Sequence, residues 1–254
     1  ERFELEKLTF KVKHFEYLNS EQKNSFALRD IEFSAGPGEL VGIVGQSGCG
    51  KSTILKMLAT DIISDKSHIY FQAKERTLNI CEKNIDDLLS YKGQVSIVSQ
   101  DSHIFSSSLK FNITMSYDDK SDVNDFWAMV KKNISYIKNW GISLDDMLDP
   151  KTLSLGQKQL VCALRSCYLA KPIVLFDEIS SGLDSDLEDA LKKLVLLIQE
   201  KSLTFIVAHR IETITSANQI IVMDKGSIVA NGTHQNLLTN SAPYQAFISE
   251  LNKI

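Results

Sequence analysis

Between the apolar run Leu40-Val41-Gly42-Ile43-Val44 and the apolar helix face of Ile54, Leu55 and Leu58 lies the stretch GQSGCGKST, Gly45 to Thr53. It fits the pattern G-x-x-x-x-G-K-[ST], with Gly45, Gly50, Lys51 and Ser52 at the required positions. A loop of this kind needs a buried strand before it and a helix N-terminus after it, so it constrains the surrounding fold. The glycines let the backbone of Gln46, Ser47, Gly48 and Cys49 curl until successive N–H groups point at phosphate oxygens, and the following helix adds its positive end. Lys51 would reach the β and γ phosphates, and the Ser52 hydroxyl would ligate Mg²⁺. The chain is therefore expected to bind a nucleoside triphosphate with Mg²⁺.

Further apolar runs at Val95-Ser96-Ile97-Val98, Ile173-Val174-Leu175-Phe176 and Thr204-Phe205-Ile206-Val207 read as strands buried on both faces of a parallel sheet. Leu8 to Tyr17 and Arg29 to Ser34 read as strands, with Ala35-Gly36-Pro37-Gly38 as a tight turn before the Leu40 strand. From Asp101 to Leu169 the period changes to helical, with Phe126, Trp127 and Val130 on one face and Leu160, Val161, Leu164 and Tyr168 on another. Leu187, Leu191, Leu194 and Ile198 mark a long amphipathic helix packed on the sheet. Residues 61–91 carry few apolar anchors and are expected to form a mobile surface excursion.

The run Ile173 to Phe176 ends in Asp177-Glu178. A carboxylate at the end of a buried strand beside a phosphate loop can hold Mg²⁺ through water, which falls to Asp177. The next carboxylate, Glu178, can deprotonate the attacking water as general base. Gln100 and His209 also follow strands, and in an open sheet such strand ends converge on the ligand crevice, so both can reach the γ-phosphate region.

With 43% hydrophobic and 24% charged residues over 254, the chain has the composition of a globular protein able to build one large core. A net charge of -4 gives no basic footprint, so nucleic acid is not an expected partner. Cys49, Cys81, Cys162 and Cys167 show no metal-site spacing and read as reduced thiols. No run approaches the ~18 apolar residues of a membrane span, and no signal-peptide pattern opens the chain. The sequons at Asn112, Asn133 and Asn231 are not expected to carry glycan. A start at Glu1 rather than Met suggests a segment of a longer protein.

LSLGQKQ, Leu153 to Gln159, together with GQSGCGKST and IVLFDE, resembles the nucleotide-binding cassette of ATP-binding cassette (ABC) transporters, with motifs in the family's order from Tyr17 to His209. IVSQDSHIFSSSLKFNI, VAHRIETI and VMDKGSIVANGTHQNLL look like exporter cassettes. The signature is similar to multidrug-resistance-associated exporters and the C-terminal stretch to the P-glycoprotein-like branch, which leaves the branch open. The resemblance implies a single α/β cassette over residues 1–254. Its P-loop core has a mixed sheet and an antiparallel β subdomain (residues 1–100 and 170–254), with an inserted α-helical subdomain at about 101–169.

It further implies that Tyr17 stacks on adenine, that Gln100 is the glutamine loop beside the metal, that Ser154, Gly156 and Gln157 belong to the signature, that Asp184 is the D-loop aspartate, and that His209 is the switch histidine. ATP and Mg²⁺ would be the ligands. A second cassette, identical or not, would pair head to tail, and transmembrane domains of an exporter would attach at the cytoplasmic face of a membrane. A regulatory cassette with weak hydrolysis and a soluble ABC ATPase acting on DNA or ribosomes are the alternatives. Leu155 stands where the common LSGGQ has its middle glycine, the Glu-Arg-Gly usual before an exporter signature is replaced by LDDMLDPKT, and residues 61–91 lack the family's Gly-rich hairpin.

Overall fold

The apolar runs pair into two sheets. The computed structural model describes residues 2–17, 26–99, 103–118, 122–177, 183–207 and 211–251. In chain order these form β1 (Leu5–Glu16), β2 (Ala27–Ala35), β3 (Leu40–Gly45), α1 (Lys51–Leu58), β4 (Ser67–Ala73), β5 (Thr77–Ile80), α2 (Ile85–Lys92) and β6 (Val95–Val98). Next come α3 (Leu109–Thr114), α4 (Asp122–Asn133), α5 (Ser135–Asn139), α6 (Leu155–Leu169), β7 (Ile173–Phe176) and α7 (Ser185–Gln199). The chain closes with β8 (Leu203–Val207), α8 (Ile211–Thr215), β9 (Gln219–Asp224), β10 (Ser227–Gly232), α9 (His234–Asn240) and α10 (Ala242–Leu251). One sheet, ordered β2-β1-β4-β5, is antiparallel. The other, ordered β10-β9-β3-β8-β7-β6, is parallel from β9 to β6 and carries β10 antiparallel at its edge.

The second sheet is covered on both faces. Val41 and Ile43 of β3 join a core with Phe10 and Phe33 of the antiparallel sheet and Ile54 of α1, whereas Leu40 and Val44 join Leu164 of α6 and Leu191 of α7 on the other side. β7 divides likewise, Ile173 and Leu175 against Val174 and Phe176. Two-sided burial is why these strands read as unbroken apolar runs. The four marker residues of α7 are all buried, and Asp184 caps that helix by accepting the Leu187 N–H at 2.9 Å. Leu160, Val161 and Leu164 of α6 and Trp127 and Val130 of α4 are buried as their spacing predicts. β6 departs from expectation: it is the sheet's edge strand, and Ile97 is 45% exposed.

Residues 61–91 overturn the expected mobile excursion. They form β4, β5 and α2, and β4 pairs along β1 from Leu5↔Ala73 to Val12↔Ser67. The β4–β5 hairpin closes without glycine, with the Ala73 N–H donating to the Arg76 carbonyl at 3.0 Å. Asp87 fastens α2 to it, accepting from the Asn79 N–H at 2.8 Å and from Arg76 at 2.7 Å. Tyr91 is wholly buried, edge-on to Phe71, with its hydroxyl donating to the Leu58 carbonyl at 2.9 Å, and burial pushes its phenol well above the ordinary value. Tyr91→Phe strands that carbonyl and should cost about 1 kcal/mol, lowering the thermal midpoint by about 2–4 °C in a calorimetric scan while leaving ATP affinity unchanged.

Among the described residues no helix is long and apolar enough to cross a membrane. None of the four cysteines forms a disulfide.

Candidate functional site

Strand order sets the site. β3 lies between β9 and β8, and β8, β7 and β6 run parallel to it, so the loop after Gly45 shares one sheet edge with the chain leaving β6, β7 and β8. Gly45 has φ 146°, and a Cβ there would strike the Met223 carbonyl oxygen and lie 2.7 Å from Cys49 Sγ. Only glycine lets β9 approach the loop this closely. Gly50, the N-cap of α1, has φ 113°, and the Phe26 ring comes within 2.7 Å of where its Cβ would be. The Cys49 N–H donates to the Gln46 carbonyl at 3.2 Å, and the Gly226 N–H donates to the Cys49 carbonyl at 3.1 Å, which ties the loop to the β9–β10 turn. Burial pushes the Cys49 thiol up, against the opposing pull of the Lys51 ammonium.

Lys51 is buried, and its Nζ donates to the carbonyls of Gly45 at 2.7 Å and Gln46 at 3.0 Å. The ammonium is therefore held by the loop it closes. Ser47, Gly48 and Ser52 are exposed along a cleft of about 520 Å³ that Tyr17, Phe26, Thr53 and Val207 also line. Tyr17 sits edge-on to Phe15 at 5.0 Å, and its hydroxyl meets Thr53 Oγ1 at 3.2 Å. The structure thus brings Tyr17 to the phosphate loop from the far end of β1. Phe26 was missed by sequence reasoning; the one available signal was an aromatic directly before the β2 run.

Asp177 lies one residue beyond β7, and its N–H donates to the Val98 carbonyl at 2.9 Å, which fixes it between the ends of β6 and β8. Gln100, Glu178 and His209 follow β6, β7 and β8 by two residues each and lie outside the described residues.

The signature residues form a capped helix start. Ser154 Oγ accepts the Gln157 N–H at 3.2 Å, and Gln157 Oε1 accepts the Ser154 N–H at 3.0 Å, a reciprocal capping box opening α6. Gln157 Nε2 also donates to the Tyr136 hydroxyl at 3.3 Å. Gly156 is buried, and a Cβ there would collide with Leu183 and Leu187, so its smallness serves the packing of α6 against the start of α7. Leu155 points outward and is 45% exposed. The first-turn N–H groups of α6 form a second positive helix end, apart from that of α1.

A curled loop of N–H groups, a lysine, a helix N-terminus and an aromatic-lined cleft suit a nucleoside triphosphate. The chain matches the family described as ABC transporter over residues 28–181. It is 28% identical to a multidrug resistance ABC transporter ATP-binding and permease protein of Lactococcus lactis, over 98% of this chain and 42% of the relative. It is 30% identical to an ATP-dependent lipid A-core flippase of Haemophilus ducreyi, over 95% of this chain and 40% of that one. A solved structure of a bacterial Atm1-family ABC exporter with ATP bound superposes with a TM-score of 0.76 and 25% identity, over 98% of this chain and 42% of the exporter. The chain thus spans about two fifths of the length of these relatives. The phosphate loop and its two-sheet setting, together with these likenesses, identify the chain as a member of the ABC transporter family.

Proposed function

We propose that this cassette binds Mg-ATP at the Gly45 to Thr53 loop, closes head to tail on a second cassette, and thereby drives export through transmembrane domains at the cytoplasmic face of a membrane. The observation that carries the reading is the outward-facing, capped N-terminus of α6, with Ser154 and Leu155 exposed. It offers N–H groups to a nucleotide other than the one at this chain's own loop. The names of the relatives in Lactococcus lactis and Haemophilus ducreyi support the exporter reading.

In this scheme Tyr17 stacks on the base, and the loop N–H groups and Lys51 hold the phosphates. The Ser52 hydroxyl and Asp177 carboxylate, with Gln100, are oxygen donors of the kind Mg²⁺ takes. When bound, the ion supplies positive charge to the β and γ phosphates. Glu178 takes the proton of the attacking water, and His209 orients that water. Ser154, Gly156 and Gln157 present the start of α6 to the partner's γ-phosphate, with Asp184 at the same interface. For the transmembrane contact, the segment following the glutamine loop exposes large apolar side chains: Tyr117 is 85% exposed and stacks on Phe111 at 4.3 Å, and Met115 is also exposed.

Steady phosphate release tests the scheme. The chain should release phosphate from ATP at a rate that rises steeply with its concentration or on adding a partner cassette. Tight ATP binding without release in either condition would replace it with a regulatory, non-hydrolysing cassette.

Leu155 predicts an asymmetry between the two sites of such a dimer. Mixed with a cassette carrying LSGGQ, this chain's own site should turn over normally, and the site facing Leu155 should be slow. Leu155→Gly should speed that second site by about tenfold, as expected if clearing the helix N-terminus restores about 1.4 kcal/mol of transition-state stabilisation. Single-turnover hydrolysis, with one site at a time disabled by a loop-lysine substitution, reads each site separately. Equal rates before and after would show that the leucine turns away from the nucleotide.

A further inference from the structure

The cleft beside the phosphate loop carries a second aromatic ring. Phe26 leans on the Gly50 turn, with Cζ 2.7 Å and Cε2 3.4 Å from the position a Cβ would take there. Tyr17 is tethered through its hydroxyl to Thr53, three residues further along the same helix start. Gly50 caps α1 and Thr53 lies in its first turn, so Phe26 and Tyr17 are both held at the N-terminus of α1 and line one cleft. The ring partner of Tyr17 is Phe15, and Tyr17, 41% exposed, and the half-buried Phe26 are both walls of the cleft. Among the described lining residues, the hydroxyls of Ser47, Ser52 and Thr53 and the amine of Lys51 all belong to the loop and its helix, and the rest of the lining away from the loop is Tyr17, Phe26 and Val207. Polar groups thus serve the phosphate end, and the nucleoside end is met chiefly by aromatic and apolar surface.

We propose that Phe26 is a second wall of the nucleoside subsite. It packs against the sugar side of a nucleotide whose base lies on Tyr17, and so sets the preference for nucleoside triphosphate over bare triphosphate. The proposal rests on the ATP-binding reading above.

Equilibrium binding of ATP and of inorganic triphosphate to the chain tests it. Phe26→Ala should weaken ATP by roughly 5-fold to 30-fold while triphosphate affinity changes by less than about twofold, as expected when an aromatic face against the nucleoside is lost. Phe26→Leu, which keeps an apolar side chain against the Gly50 turn, should show the same selective loss in smaller degree, and Phe26→Trp should retain ATP. Lys51→Ala is the contrasting control, weakening both ligands. Equal weakening of ATP and triphosphate in Phe26→Leu would overturn the proposal, since Phe26 would then act through the Gly50 turn. ATP affinity unchanged in both the Ala and Leu variants would overturn it too, and leave the ATP reading standing. An unsubstituted chain that bound neither ligand would overturn the ATP reading and the proposal with it.

Discussion

Glu178→Gln should leave ATP binding intact, hold the paired cassettes in the closed state, and lower steady turnover by roughly 10²-fold or more, the loss expected when a general base is removed. The expectation starts from β7. Its last residue, Phe176, is buried, and the Asp177 N–H extends the ladder to Val98, so the chain leaves the sheet at the edge shared with the phosphate loop. Glu178 is the next residue in the chain, and the proposed scheme gives its carboxylate the role of general base. The amide of Gln keeps the size and the hydrogen-bonding reach but cannot take a proton from water. Turnover and the fraction of dimer retained by size-exclusion chromatography with ATP check it. Unchanged turnover would transfer the water-positioning role to His209 alone.

How far each feature could be read from the sequence follows the range of the interactions that create it. The phosphate loop is local: strand, glycines, lysine and helix start lie within one short stretch, so residue types and spacing were enough to place it. Strands β3, β7 and β8 were legible because each is buried on both faces and therefore apolar throughout. Residues 61–91 were not, because β4 is held by partners in β1, Ile69 against Phe10 and Phe71 against Leu8, far away in the chain. Tyr70, on the outer face with His68 and Gln72, blurred the alternation by making Ile69-Tyr70-Phe71 read as an apolar triplet. Ile97 was misplaced for a related reason: its exposure depends on β6 being the edge strand, a property of strand order that an apolar tetrapeptide does not carry.

The signature shows the same division. The capping box of Ser154 and Gln157 is a four-residue pattern visible in the sequence. The close packing at Gly156 arises from Leu183 and Leu187 at the start of another helix. Placing α6 on α7 at that glycine links two motifs, since Asp184 caps α7 one residue after Leu183. A bulkier residue at Gly156 would therefore press on Leu183 and Leu187 at the start of α7, next to the Asp184 cap.

Lys51→Ala should weaken ATP by roughly 10-fold to 150-fold, the equivalent of the 1.5–3 kcal/mol typical of a hydrogen bond to a charged group. It should also lower turnover at saturating ATP by about 10²-fold or more, as when one preorganised donor to the transition state is removed. The joint loss separates it from Glu178→Gln, which spares binding. The geometry adds a second consequence, because Nζ also holds the carbonyls of Gly45 and Gln46. With alanine the loop loses the tie that closes it, at a place where Gly45 already packs against Met223 and Cys49. Lys51→Arg tests whether charge alone suffices: a planar guanidinium differs from a compact ammonium in shape and reach, so the positive charge is kept but its fit to both carbonyls and phosphate is lost. Arginine should therefore recover part of the ATP affinity and little of the turnover. Equilibrium dialysis with ATP and steady phosphate release measure the two quantities independently. If ATP affinity were unchanged in Lys51→Ala, the lysine would be a brace for its own loop, and the phosphate charge would have to be met by the backbone N–H groups and the start of α1.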